Sequence, residues 1–286
     1  RPPMPVHDPK SLSAALRDLR EEAASTAAPY VEAALDAVAT PSRPGLAGPA
    51  AAPDLTSAEI ADLIDHTQLR PAATDDQIDQ CCEEATQYDF TSVCVHPSFV
   101  PRVARHLDGS EVTPCTVVGF PHGANRTPTK AREAERAVAD GARELDMVLA
   151  LGAVTSGRYA DAEADIRAVV TAARDAGESI ETDVPVKVIL ETSLLSTPQV
   201  AVASVIARRA GADFVKTSTG FASGGARAED VALMREVVGA DRGVKASGGV
   251  GTVDDVRRMV AHGATRIGAS GSVAIMEERR AAADAS

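Results

Sequence analysis

From Thr56 onward the chain alternates between short apolar or β-branched runs and longer stretches whose apolar residues recur at helical spacing. Eight runs have strand character: Leu63–Asp65, Thr91–Val95, Thr113–Val118, Glu144–Leu149, Val184–Leu190, Phe214–Thr217, Gly243–Ala246 and Thr265–Gly268. Between them lie Ala-rich amphipathic segments such as Lys130–Asp140, Tyr159–Ala176, Pro198–Ala210 and Val253–His262. Helix starts are marked by the capping-box spacing Thr56-Ser57-Ala58-Glu59, by Thr197-Pro198, and by Thr252 ahead of Asp254-Asp255. Strand runs alternating with helices predict βα units around a parallel sheet. Eight units in roughly 230 residues match the size of an α/β (β/α)8 TIM barrel, typically ~250 residues. A doubly wound sheet is the alternative, disfavoured because no G-x-G-x-x-G turn follows the first strand run.

Residues 1–54 have another texture. Ser11–Ala24 and Tyr30–Val38 are helix-forming, and Thr40–Pro53 reads as an Ala/Pro/Gly linker. The expectation is a loosely ordered N-terminal extension, the alternative an oligomerisation or regulatory arm, ahead of a barrel over residues 55–286.

Charge narrows the function classes. A net charge of −12 argues against non-specific binding to nucleic acid or anionic lipid, so any phosphate site must be built from local dipoles. The Arg-rich, Lys-poor, Ala-rich composition fits either a GC-rich coding bias or salt adaptation. Cys81, Cys82, Cys94 and Cys115 include no C-x-x-C spacing, so neither a disulfide framework nor a structural zinc is expected. With no membrane-length apolar run and no charged-then-apolar leader pattern, a soluble cytoplasmic protein is expected.

The lysines change the picture most. Five lysines stand against 24 arginines, and Lys187, Lys216 and Lys245 lie 29 residues apart, each inside an apolar run. One βα unit occupies ~30 residues, which puts the three on consecutive strands. Adjacent strands are ~4.8 Å apart, so the amines of Lys216 and Lys245 can approach within several ångströms. Two like charges ~6 Å apart at an effective dielectric of ~20 repel by roughly 3 kcal/mol, enough to bring one amine toward neutrality near pH ~8. A carbonyl-attacking nucleophile needs that neutral amine, which an arginine does not supply. A single lysine so placed is more simply a snorkelling or salt-bridged side chain; three on adjacent strands point to amine chemistry. Asp146, flanked by apolar residues in the fourth run, can shuttle a proton with a water or Lys245, or merely pair with a lysine. Asp65, ending the first run, can be structural or site-forming.

Three glycine-bearing turns follow the last three runs: Ser218-Thr219-Gly220-Phe221, Ser247-Gly248-Gly249-Val250 and Gly268-Ala269-Ser270-Gly271-Ser272. Barrel enzymes commonly seat phosphate at the loops after strands seven and eight, on helix N-termini. Thr217, Gly220, Gly248, Gly249, Gly268, Ser270 and Gly271 are therefore the candidate phosphate and substrate contacts. Cys94 reads as a core thiol that an aldehyde could modify, and His66, His96 and His122 as packing or rim residues without ligand spacing.

These stretches resemble the deoxyribose-phosphate aldolase family of class I aldolases. The resemblance rests on Ile64-Asp65-His66-Thr67, Ser92-Val93-Cys94-Val95, Val117-Val118-Gly119-Phe120-Pro121, Glu144-Leu145-Asp146-Met147-Val148 and Lys187-Val188-Ile189-Leu190-Glu191-Thr192. It rests most specifically on Phe214-Val215-Lys216-Thr217-Ser218-Thr219-Gly220 and Gly243-Val244-Lys245-Ala246-Ser247-Gly248-Gly249, with Arg266-Ile267-Gly268-Ala269-Ser270 completing the order. It implies a barrel that reversibly joins acetaldehyde to D-glyceraldehyde 3-phosphate, giving 2-deoxy-D-ribose 5-phosphate. It implies Lys216 as the Schiff-base lysine, Lys245 as the lysine that lowers its pKa and joins the proton relay, Asp146 as the relay carboxylate, and Lys187 in support. No metal or organic cofactor is implied. The expected partners are a sugar phosphate and small aldehydes, with no nucleic acid, no membrane, and a homo-oligomeric assembly. Departures from the family pattern are Gln68 after Asp65-His66-Thr67, Leu149-Ala150 after the fourth run, and the long N-terminal segment. Two other readings stand beside this one: a Schiff-base aldolase for another phosphorylated sugar, and a non-catalytic barrel that binds a phosphate ligand.

Overall fold

A computed structural model describes residues 9–39 and 52–284. Eight strands close into one parallel barrel in chain order: β1 (Ile64–Gln68), β2 (Ser92–Val95), β3 (Thr113–Val118), β4 (Glu144–Val148), β5 (Val186–Ile189), β6 (Phe214–Lys216), β7 (Gly243–Ser247) and β8 (Arg266–Ala269). Two helices precede the barrel, α1 (Pro9–Glu22) and α2 (Ala28–Ala39). The short α3 (Ser57–Ala61) leads into β1, and α4 (Asp75–Tyr88), α5 (Val100–His106) and α6 (Thr127–Ala139) follow β1, β2 and β3. The others are α7 (Leu151–Thr155) and α8 (Tyr159–Glu178) after β4, then α9 (Thr197–Arg209), α10 (Ala228–Val238), α11 (Val253–Ala261) and α12 (Ser272–Asp284), one after each remaining strand. Among the described residues no helix is long and apolar enough to cross a membrane.

Local chemistry accounts for the element ends. Thr56 and Glu59 form the expected reciprocal capping box at α3, Thr74 and Gln77 form another at α4, and Thr252 caps α11 through the Asp255 N–H. All eight predicted runs overlap a strand. The first was drawn too short: β1 continues past Asp65 through His66-Thr67-Gln68, whose polar side chains a barrel can use at its mouth. Strands β2, β4 and β5 are buried along their whole length, as a sheet covered on both faces requires.

The expectation of a loosely ordered extension is corrected over residues 9–39. Helices α1 and α2 pack on each other and on α9, and α2 also touches α10. Leu12 and Leu16 of α1, and Tyr30, Val31, Ala34 and Val38 of α2, are buried. Tyr30 packs edge-on against Tyr159 of α8 at 5.9 Å, with the Arg209 guanidinium 4.6 Å from its ring centre. The reason lies in the barrel: α9 is buried from Val200 to Ala207 and α10 from Asp230 to Val238, so neither has a solvent-facing stripe, and α1 and α2 supply the cover. Most of the predicted linker Thr40–Pro53 lies outside the described residues.

Leu16→Ala is therefore expected to lower the stability of the whole protein by about 2–4 kcal/mol, read from a denaturant titration. A loosely attached arm would instead leave the global transition unmoved.

Candidate active site

Register fixes which side chains share the barrel interior, because partners on adjacent parallel strands point to the same face. Asp146 pairs with Lys187, while Lys216 pairs with Lys245, and Lys245 with Arg266. Ile189 is the partner of Lys216, so Lys187 sits one inward position deeper on β5. The three lysines thus form two tiers around one carboxylate.

That carboxylate is Asp146. Its Oδ2 accepts from Lys216 Nζ at 2.6 Å and from Lys245 Nζ at 2.7 Å, and its Oδ1 from Lys187 Nζ at 3.0 Å. Two further carboxylates close the cluster. Asp65 forms a close ion pair with Lys245, lies 3.7 Å from Lys187, and accepts from Arg266 Nη1 at 2.7 Å. Glu144 pairs closely with Lys187 and accepts from Arg266 Nη1 at 3.0 Å. The Phe214 ring lies beside the deeper cations, 6.0 Å from Lys187 Nζ and 5.4 Å from the Arg266 guanidinium.

Two glycines make room for this packing. A Cβ at Gly243 would run into the Phe214 ring, and a Cβ at Gly268 would come within 2.9 Å of Lys245 Cε. Gly268, expected only as a phosphate-loop residue, also gives Lys245 its path across the barrel.

The electrostatics revise the expectation drawn from lysine repulsion. Lys216 and Lys245 do meet, on a single oxygen, but carboxylates surround them. Burial works against the charge on Lys245, yet Asp146 and then Asp65 raise it above the ordinary lysine range. Lys187 is likewise raised, by Asp146, Cys115, Glu144 and Asp65 acting against burial. Burial also opposes ionisation of Asp146 and Asp65, and the surrounding cations overcome it, holding both carboxyls well below their usual range. Lys245 and Lys187 are thus fixed ammonium groups rather than spare amines. Four cations (Lys187, Lys216, Lys245 and Arg266) face three carboxylates (Asp65, Glu144 and Asp146), leaving one positive charge in surplus.

A cavity of about 470 Å³ opens at the C-terminal end of the strands. Lys216 is the one member of the ionic cluster that lines it. Gly220, Gly248, Gly249, Gly268 and Ser270 line it as well, together with Thr219, Ser247 and Phe221. Gly220, Gly248 and Gly249 adopt φ of +84°, +85° and +78°, the left-handed region that favours glycine. Thr217 and Gly271 do not line it. The Thr217 hydroxyl donates to Ser247 O at 3.0 Å and accepts from Ser247 N at 3.1 Å, pinning β6 to β7. Gly271 stands just before α12, where Ser272 Oγ donates to Ala269 O at 3.0 Å.

Some site-forming residues escaped the sequence reading. Glu191, just past β5, is buried with φ of +53° and accepts from the Thr219 N–H at 3.1 Å and from its hydroxyl, so it holds the loop that follows Lys216. Arg266 and Glu144 appeared only as letters in motif stretches; a charged residue at the start of an apolar run was their signal. At the rim Phe221, 48% exposed, meets Phe120 edge-on at 5.3 Å. His66 faces away from the barrel axis to Glu84 at 2.7 Å, His96 contacts Leu69 O at 2.9 Å, and His122 is exposed.

Cys94 and Cys115 are register partners inside the barrel. Cys115 Sγ lies 3.5 Å from Asp146 Oδ1, and the thiols and that carboxylate group within 4.8 Å. Cys94 is therefore more than inert packing: its hydrogen bond with Cys115 holds it below the ordinary thiol range, while burial pushes Cys115 well up. Asp146 is already engaged by three lysines, so this trio offers a metal ion no free carboxylate.

Comparison with known proteins gives the family of the chain. A family model described as DeoC/LacD family aldolase matches residues 60–276, which takes in every member of the ionic cluster. The chain belongs to that family. Among DeoC/LacD relatives, deoxyribose-phosphate aldolase 2 of Staphylococcus aureus (strain COL) is 54% identical over 224 residues, covering 78% of this chain and 98% of that protein. A crystal structure of a candidate deoxyribose-phosphate aldolase from Coccidioides immitis superposes with a TM-score of 0.81 at 41% identity, covering 89% of this chain and 98% of its own. The deoxyribose phosphate aldolase of Aeropyrum pernix, described as a unique tetramer, superposes with a TM-score of 0.73 at 31% identity, covering 79% of this chain and 93% of its own. The DeoC/LacD barrel is thus the fold, and an aldolase the class of enzyme.

Proposed function

We propose that this aldolase reversibly cleaves 2-deoxy-D-ribose 5-phosphate to D-glyceraldehyde 3-phosphate and acetaldehyde through a Schiff base on Lys216. One observation carries the assignment of the lysine: of three ammonium groups on a shared carboxylate, only Lys216 opens onto the cavity. Lys216 also has the fewest carboxylate contacts of the three, a single oxygen that it shares with Lys245.

The chemistry follows from that placement. The Lys216 amine, once neutral, attacks the C1 aldehyde of the open-chain sugar, and loss of water gives an iminium. The C3 hydroxyl then loses its proton and the C2–C3 bond breaks. Its electron pair passes into the iminium, leaving an enamine on Lys216 and releasing glyceraldehyde 3-phosphate. Protonation at C2 and hydrolysis of the resulting iminium release acetaldehyde and restore the amine. Asp146, with Lys245 and water, moves these protons, and Lys187 fixes the Asp146 carboxylate from below. The phosphate is held by backbone N–H groups at Gly220, Gly248 and Gly249 and by the Ser270 hydroxyl, dipoles that stand in for a basic patch in a chain of net charge −12. Thr217 supports this cradle by tying β6 to β7. The catalytic unit is the barrel of residues 55–286, working in the cytoplasm as a homo-oligomer and without a metal or organic cofactor.

Borohydride trapping in the presence of 2-deoxyribose 5-phosphate, followed by peptide mass mapping, tests the mechanism. A reduced adduct on Lys216 is expected. An adduct on Lys187 or Lys245 would reassign the nucleophile, and folded protein that forms none would exclude covalent catalysis on this substrate.

A further inference from the structure

Every strand of the barrel contributes at least one titratable or charged group to a single interior cluster. Lys216 on β6 faces Asp65 from β1, Cys94 from β2, Cys115 from β3, Glu144 and Asp146 from β4, Lys187 from β5, Lys245 from β7 and Arg266 from β8. Of this set only Lys216 lines the cavity, yet Arg266 and Glu144 decide how charge is shared within the cluster. Arg266 Nη1 bridges Asp65 Oδ1 at 2.7 Å and Glu144 Oε2 at 3.0 Å. The other Asp65 oxygen serves Lys245, and Glu144 Oε2 also serves Lys187. Both routes then converge on Asp146, the carboxylate that holds Lys216.

The consequence is a matter of counting. Without Arg266 the cluster would pair three lysines with three carboxylates, and each ammonium would be matched. Arg266 cannot give up its proton, so it takes a share of Asp65 and Glu144 and makes the interior one carboxylate short. The shortage must fall on the cation that can shed its proton to solvent, and Lys216 alone borders the cavity.

We propose that Arg266 and Glu144 are positioning residues that set the charge felt by the Lys216 amine from the closed end of the barrel, Arg266 creating the surplus positive charge and Glu144 limiting it. The inference rests on the assignment of Lys216 as the attacking amine. Neither residue touches substrate; each acts through Asp65, Lys187, Lys245 and Asp146. The same arrangement keeps Asp146 ionised and Lys245 protonated.

The test is the pH dependence of adduct formation on Lys216, followed by cyanoborohydride trapping and peptide mapping in the parent and in Glu144→Gln, Arg266→Gln and Arg266→Lys. Removing one unit charge ~10 Å away at an effective dielectric of ~20 should move the acidic midpoint by roughly one pH unit. Glu144→Gln should move it to lower pH and Arg266→Gln to higher pH, while Arg266→Lys keeps the charge and should stay near the parent. Residues that only hold the barrel together would lower the amount of adduct without opposed shifts in midpoint, and that result overturns the inference. If Arg266→Gln does not fold, the downward shift in Glu144→Gln and the parental midpoint in Arg266→Lys decide it by themselves. An adduct on Lys216 in the parent with unmoved midpoints defeats this inference alone; an adduct on another lysine defeats the Lys216 assignment with it.

Discussion

Lys216→Arg is expected to fold like the parent and to lose on the order of 10⁴-fold or more in kcat/KM for cleavage of 2-deoxyribose 5-phosphate, about 5 kcal/mol of transition-state stabilisation. Arginine keeps a positive charge beside Asp146, so the ion-pair cluster retains its balance, but it never presents a neutral amine. The variant thus separates charge from nucleophilicity. A coupled assay for released glyceraldehyde 3-phosphate, alongside a melting curve, gives both readings. Activity above about a hundredth of the parent, from a variant with an unchanged melt, would put the nucleophile elsewhere.

Asp146→Asn should damage stability and activity together. This carboxylate is the common acceptor for Lys187, Lys216 and Lys245, none of which is more than slightly exposed. Asparagine fits the space but removes the charge, leaving buried ammonium groups short of two carboxylates instead of one. Breaking a buried pair from one side costs about 3–5 kcal/mol, and losing a proton-transfer group lowers rate by roughly 10²–10⁴-fold. The Asp146 carboxyl is held below its usual range, so its contribution is complete above the unfolded value of ~3.9 and fades as pH falls through the folded one. The gap in unfolding free energy between parent and variant should therefore be full at neutral pH and narrow in acid. Equal stability at pH ~7 would mean that the lysines do not depend on Asp146 for their charge.

Much of this architecture was visible in one dimension. The 29-residue lysine interval is one βα unit, so it carried both the barrel and the adjacency of the amines. What spacing could not give was the company those amines keep. Glu144 and Arg266 begin their strands, where a charge normally reads as the solvated end of a run; only barrel closure, which sets β1 beside β8, brings Arg266 to Asp65. Repulsion between lysines was the correct pairwise effect, but three carboxylates were missing from the sum. Thr217 was within reach of sequence reasoning: alternation along β6 turns it away from the side that Lys216 faces, into the seam with β7. The order of α1 and α2 was not, because their Ala-rich faces are weak alone and become a core only against α9, a helix buried on all sides.

The placement of the five lysines bears on how this protein could be attached to a solid support. Lys130 is buried against Asp165, Lys187 and Lys245 lie wholly inside the barrel, and Lys216 is reached only through its cavity. Lys10, on α1, is the exposed lysine among the described residues. Among the lysines, an amine-reactive resin too bulky to enter the cavity would reach the one on that helix. Immobilisation chemistry that usually scatters its linkages would here be directed away from the reacting amine by the fold itself.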